Sequence, residues 1–137
     1  MAAAVWFAPS GAESLTAQGA RLFDGREPLE ATMAGHATPL PLQAARCSQC
    51  HAGPAGPAKG NGSGPALPGP LMNGAYLRSA LPRRGGPPVV YDRSAFCQTL
   101  RSGVDPAHVV LPRTMPRFDI DEVRCVALWT YLTREIP

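Results

Sequence analysis

Hydrophobic residues follow a helical period near both ends of the chain. Near the amino terminus, Leu15, Leu22 and Phe23 fall on one side of a helix over residues 14–23. Near the carboxy terminus, residues 120–133 carry two apolar stripes, so a helix there has neighbours on more than one side. We therefore predict two terminal helices, the second of them buried in the core.

Polar residues indicate where these two helices begin. Ser14 is the predicted N-cap of the first helix, because its hydroxyl can accept a hydrogen bond from a free amide of the first turn. Asp119 is the predicted N-cap of the last helix, and Glu122 completes a capping box three residues later.

A glycine, Gly19, lies in the middle of the first predicted helix. Such a glycine costs about 1 kcal/mol relative to alanine, so its presence suggests that another backbone comes close there. We expect the last helix to be this neighbour, with Trp129 and Tyr131 packed against Gly19 and Phe23.

The chain contains 16 Pro and 14 Gly, most of them between the two terminal helices. This composition predicts long loops over residues 24–46 and 53–70. Short helices are predicted over residues 74–80 and over residues 94–102, the latter capped by Ser94. The expected fold class is all-α, with about four short helices.

Size and charge limit the possible classes of function. A chain of 137 residues with 45% hydrophobic content has the size of a single domain. We interpret residues 1–13 as a trimmed leader or flexible amino terminus and residues 14–137 as that domain. The net charge of +3 comes from scattered arginines without interleaved aromatic residues, which argues against a nucleic-acid partner. No stretch of the sequence is long and apolar enough to span a membrane.

The most specific chemical signal is the pentapeptide C-x-x-C-H formed by Cys47, Cys50 and His51 with the two residues between the cysteines. This is the signature of covalent haem attachment. The two thiols can add across the two vinyl groups of a haem, and His51 is placed to ligate the iron from one face. Attachment of this kind occurs outside the cytoplasm in bacteria, so we expect a periplasmic or otherwise extracytoplasmic location.

Two other interpretations of the cysteine pair are weaker. A structural zinc site needs four ligands, usually as two closely spaced pairs, and the remaining Cys97 and Cys125 lie far apart in the sequence. A thioredoxin-like redox site needs a strand before the motif, and the Pro-rich residues 38–45 do not favour one. Haem attachment is therefore the preferred interpretation.

With Cys47 and Cys50 assigned to haem, Cys97 and Cys125 are left as an even pair. An oxidising compartment favours a disulfide between them. The alternative is two separate buried thiols, which behave as small apolar side chains.

A haem iron held by one histidine has an open second axial position or a second protein ligand. Met115 is preferred for that role because Pro112 and Pro116 stiffen the chain on both sides of it. A thioether ligand also raises the reduction potential relative to two nitrogen ligands. The alternative role for Met115 is to fill a gap in the core. The other candidate ligands are Met33, Met72, His36 and His108.

Features spread over most of the chain occur together in one protein family. They are Gly19, Phe23, Cys47, Cys50, His51, Gly69, Pro70, Gly74, Met115, Pro116 and residues 128–132. In this order they resemble the pattern of class I monohaem c-type cytochromes.

This resemblance implies a cytochrome c fold around one covalent haem c, with His51 and Met115 as the axial ligands. It also implies that a proline after the motif offers its carbonyl oxygen to the ring N–H of His51 and so orients the imidazole. Pro70 is the first choice for that proline and Pro65 the second.

Two features depart from the common family pattern. Residues 24–46 form an insertion before the haem motif, and the pair Cys97 and Cys125 is not general in the family. With residues 103–106 before the Met115 loop, they resemble an extracytoplasmic bacterial branch of monohaem cytochromes thought to serve oxidoreductases. The insertion has two possible roles, a docking arm for a partner and a cover over haem.

The expected function is one-electron transfer between a donor oxidoreductase and a downstream redox acceptor, through transient docking. No cluster of titratable residues suggests an acid, a base or a nucleophile, so no residue is predicted to be catalytic and the chain is not predicted to be an enzyme. Two alternatives stay open. One is a haem c subunit of a dehydrogenase complex; the other is a haem enzyme or sensor with an open or displaceable sixth ligand.

Overall fold

The computed structural model describes residues 4, 11–54, 56 and 67–134. Helix α1 spans Gly11–Asp24, strand β1 Glu30–Thr32, helix α2 Gly74–Arg78, helix α3 Arg93–Ser102, strand β2 Arg117–Asp119 and helix α4 Glu122–Thr133. Two 3₁₀ helices, Leu42–Ala45 and Cys47–Gln49, lie between β1 and α2. None of the helices in the described part of the chain is long and apolar enough to cross a bilayer. The predicted leader lies mostly outside the described residues.

The close pairing of α1 with α4 confirms the interpretation of Gly19. A Cβ atom at Gly19 would lie 2.2 Å from the carbonyl oxygen of Ala127 and 2.4 Å from Cβ of Tyr131. The rings of Phe23 and Tyr131 pack with their centroids 5.7 Å apart. The predicted place of Trp129 is wrong, because its ring packs against α3 instead.

The predicted all-α class, with its cytochrome c fold, is wrong, because the chain also forms a two-stranded antiparallel sheet. In this sheet Ala31 of β1 pairs with Phe118 of β2, and both side chains are buried. The structure is a small mixed α/β arrangement. Three-residue strands are too short to show a period in the sequence, and the pairing joins segments far apart along the chain, so local patterns do not reveal it.

Aspartates two positions from the predicted caps are the N-caps of α3 and α4. Asp92 caps α3 and Asp121 caps α4, each accepting a hydrogen bond from a backbone amide of the first turn. The prediction of Ser94 as a cap is therefore wrong, since α3 already begins at Arg93. Asp119 is wrong as a cap because it is the last residue of β2, where it pairs with Glu30, and α4 begins only at Glu122.

The beginning of α1 also differs from the prediction. The helix begins at Gly11, so Ser14 lies inside it and does not cap it. The short helix α2 begins at Gly74 as predicted, but Asn73 caps it and it ends at Arg78.

A disulfide between Cys97 of α3 and Cys125 of α4 confirms the predicted pairing. Both cysteines are almost completely buried. Together with Leu22 of α1 and Leu128 of α4, they form the most buried part of the core. The disulfide therefore joins two helices where the packing is already dense.

Candidate functional site

The C-x-x-C-H motif lines an apolar cavity of about 140 Å³ to which Phe118 of β2 also contributes. Three segments form its walls: the insertion before the motif, the motif itself, and the chain leading into β2. The residues that line it are Met33, Leu40, Ala44, Ala45, Arg46, Cys47, Cys50, His51, Thr114, Met115, Pro116 and Phe118.

The insertion over residues 24–46 supplies five of these twelve lining residues. Its backbone is tied to the sheet, because the amide of Leu40 donates to the carbonyl oxygen of Ala31 at 2.8 Å and Thr32 bridges to Pro39. The insertion therefore forms part of the cavity wall, and its two possible roles, a docking arm and a cover over haem, stay predictions.

The C-x-x-C-H motif forms a tight turn, and its two cysteines and its histidine line the cavity. Cys47 begins a 3₁₀ helix, and its carbonyl oxygen accepts hydrogen bonds from the amides of Cys50 and His51, at 3.1 and 2.9 Å. Both Cys47 and Cys50 are free thiols and are half-buried. The two cysteines and the histidine of the motif therefore lie at the same cavity.

Burial raises the pKa of the Cys47 thiol to about 12. This thiol is therefore protonated at neutral pH and is a poor nucleophile. Thioredoxin-like sites lower the pKa of their attacking cysteine, so the surroundings of Cys47 do not support that alternative.

A hydrogen bond orients the ring of His51 and sets which of its nitrogens carries the proton. Its Nδ1–H donates to the carbonyl oxygen of Pro70, with 2.7 Å between the two heavy atoms. Because Nδ1 carries the proton, Nε2 keeps its lone pair. Burial lowers the pKa of His51 from its ordinary value, although the hydrogen bond to Pro70 acts in the opposite direction. The neutral imidazole is the form that binds metals.

Gly69 allows the chain to cross the imidazole closely enough for Pro70 to reach it. A Cβ atom at Gly69 would lie 2.4 Å from Cε1 of His51 and 2.8 Å from the carbonyl oxygen of Cys50. The Gly69 amide donates to that same Cys50 carbonyl at 2.7 Å. The role of Pro70 at a haem stays a prediction, and its alternative, Pro65, lies outside the described residues.

Two thioethers line the cavity, and only one of them was preferred from the sequence. Met115 is in a turn closed by its amide, which donates to the carbonyl oxygen of Pro112 at 3.0 Å. Met33 follows β1 and lines the same space. The remaining candidates, Met72, His36 and His108, are not among the lining residues.

Arg117 and Phe118 were missed in the sequence, although both contribute to the site. Phe118 is a buried wall residue from β2. The Arg117 guanidinium donates hydrogen bonds to backbone carbonyls of the Met115 loop. The only local signal is their place directly after Met115 and Pro116, because the strand that positions them is not visible in the sequence.

The donor groups of the cavity fit a covalently attached haem. They comprise two thiols, an imidazole with a free Nε2 and a thioether, among mostly apolar walls. The cavity is smaller than the roughly 300–1,000 Å³ of ordinary ligand pockets. A macrocycle therefore has to displace part of the walls, and the fit rests on donor chemistry.

No protein-family model, curated protein or solved structure matches the chain. Within residues 11–54, 56 and 67–134, no three or more His, Cys, Asp or Glu side chains form a group that could hold a metal ion. The assignment of a function therefore depends on the geometry around Cys47, Cys50 and His51.

Proposed function

We propose that the protein is a periplasmic monohaem c-type cytochrome that carries single electrons from an oxidoreductase to a downstream acceptor. The observation that carries this proposal is the convergence of two free thiols, the His51 imidazole and the Met115 thioether on one apolar cavity. When bound, the haem supplies a one-electron ferric/ferrous couple.

Cys47 and Cys50 would hold the haem through thioether bonds, and His51 and Met115 would be its axial ligands. The Pro70 carbonyl supports this role for His51, because the hydrogen bond to Nδ1 fixes the tautomer and raises the basicity of Nε2. A rigid, neutral imidazole suits electron transfer, since little has to move when the charge changes.

Electron transfer without substrate chemistry is supported by the nature of the lining residues. The titratable residues among them are Arg46, Cys47, Cys50 and His51. The proposal uses the last three to hold the cofactor, and arginine is a poor general acid or base because it does not lose its proton. On this proposal, the cavity residues act as cofactor ligands rather than as catalytic groups.

An extracytoplasmic location is supported by the disulfide between Cys97 and Cys125, since such bonds persist in oxidising compartments. The donor and acceptor would be redox proteins that dock transiently over a small interface.

The test is the absorption spectrum of the oxidised and reduced protein, produced in a host that attaches haem c. We expect a low-spin spectrum with the weak far-red band that marks a thioether on ferric haem. Met115→Ala should abolish that band and lower the reduction potential, because the thioether stabilises the ferrous state. A high-spin spectrum of the unaltered protein would refute the carrier function and favour a site with an open sixth position.

Met33→Ala is the matched control, because this thioether lines the same cavity. We expect the far-red band to persist in this variant. If Met33→Ala abolishes the band and Met115→Ala does not, the ligand assignment is wrong while the class of protein stands.

A further inference from the structure

Arg117 holds the loop that carries Met115. Its guanidinium donates to the carbonyl oxygens of Leu111 at 3.1 Å and Pro112 at 3.2 Å, and also to that of Met115. These three acceptors lie at both ends of the turn that the Met115 amide closes. The Arg117 side chain thus forms hydrogen bonds to both the beginning and the end of this turn.

The position of Arg117 is fixed by its own surroundings. Its backbone pairs with Thr32 in the sheet, which sets where the side chain begins. Gly103 at the end of α3 leaves room for it, since a Cβ atom there would lie 2.0 Å from Nε of Arg117. Among the ion pairs of the described residues, none involves Arg117. Its hydrogen bonds therefore go to the loop and not to a carboxylate.

We infer that Arg117 is the positioning residue for Met115. This inference rests on the proposed function, in which Met115 is an axial ligand. A planar guanidinium can bind carbonyls on two sides at once, whereas an ammonium group acts as a point charge. By closing the turn, Arg117 keeps the thioether at the cavity and limits the opening of the loop to external ligands.

The inference is tested by titrating imidazole into the oxidised protein, because an external ligand binds only when the loop opens. Apparent affinity scales with the fraction of molecules in the open state, so Arg117→Gln should bind imidazole at least about tenfold more tightly than the unaltered protein. The far-red band of Met ligation should weaken in parallel, and the reduction potential should fall.

Arg113→Gln is the matched control, because Arg113 is an exposed arginine of the same loop. It removes the same charge and should leave the imidazole affinity and the far-red band unchanged. Arg117→Lys keeps the charge but loses the planar guanidinium that binds carbonyls on two sides. Its imidazole affinity should therefore lie between those of the glutamine variant and the unaltered protein. An equal effect of Arg113→Gln and Arg117→Gln would overturn the inference.

Hydrogen exchange supplies a second readout if Arg117→Gln does not fold. The amides of Leu111 and Met115 donate to the carbonyls of Gly103 and Pro112, and both should exchange faster in Arg117→Lys. Unchanged exchange together with unchanged imidazole binding would refute the positioning role. A missing far-red band in the unaltered protein would instead refute the proposed function, so the two failures are distinguishable.

Discussion

The helical core and the cavity region of this protein are stabilised in different ways. The helical core, made of α1, α3, α4 and the disulfide, packs large apolar side chains such as Leu22 and Leu128 against one another. The cavity region, made of residues 29–51, 69–70 and 111–118, relies on two short strands and on hydrogen bonds to backbone carbonyls. Its apolar residues line a cavity, so they pack less completely against one another than those of the helical core.

The largest effect on the helical core should come from removing its disulfide. Closing a loop of this length constrains the unfolded chain, so Cys97→Ala with Cys125→Ala should lower the free energy of unfolding by about 3–4 kcal/mol. Denaturant titration measures this loss. If the free energy of unfolding of the double variant fell by less than about 1 kcal/mol, the disulfide would not stabilise the helical core as described.

A smaller loss is expected from Gly19→Ala in the same region. The added Cβ would meet the backbone of Ala127 at 2.2 Å, and overpacking of this kind should cost about 2 kcal/mol in thermal or denaturant unfolding. Ala17 is an exposed position of α1, and Ala17→Gly serves as a control for helix propensity, with a loss of about 1 kcal/mol. A stabilising effect of Gly19→Ala would contradict the close contact of α1 with α4.

A glycine-to-alanine substitution in the cavity region, Gly69→Ala, should lower the free energy of unfolding less than Gly19→Ala does. It should also change the position of the His51 ring. A loop can move away, so we expect a loss of about 1 kcal/mol. The new Cβ should displace the His51 ring and break its hydrogen bond to Pro70, which NMR of the ring nitrogens detects. Pro68→Ala, at an exposed neighbouring position, should leave those signals unchanged. Unaltered ring signals in Gly69→Ala would contradict the described contact.

The smallest expected effect is a pH dependence of the apoprotein that arises from His51. Burial lowers the pKa of His51 in the folded state below the ordinary value of 6.5, so the unfolded chain binds more protons as the pH falls through this range. The stability that His51 contributes is therefore present above pH 6.5 and is lost as the pH decreases. Denaturant midpoints above and below this pH should differ, and His51→Gln should reduce the difference. If the stability of His51→Gln depended on pH as strongly as that of the unaltered protein, the dependence would arise from other titratable groups.

The two regions also differ in how well the sequence predicts them. The α1–α4 contact was predictable because Gly19 is a costly residue inside a periodic apolar pattern, and both signals are local. The disulfide was predictable from the even number of cysteines. The caps of α3 and α4 were each misplaced by two residues, since Asp92 and Asp121 compete with nearby residues of similar capping ability.

In the cavity region, the sequence revealed the candidate ligands but not most of the residues that form the walls. Cys47, Cys50 and His51 are adjacent, so their motif is a local signal. The sheet that brings Met33 and Phe118 to the cavity joins segments far apart in the chain, and three-residue strands carry no detectable period. The role of Arg117 was also missed. Its hydrogen-bond partners are backbone carbonyls, and every residue type has one, so the sequence does not identify them.

The most direct test of the central claim is the intact mass of the protein produced in a host that attaches haem c, followed by peptide mapping. The account predicts an increase equal to one haem, carried by the peptide that contains Cys47 and Cys50, and no increase in the Cys47→Ser, Cys50→Ser double variant. Unmodified, titratable thiols at both positions in the host-matured protein would contradict it.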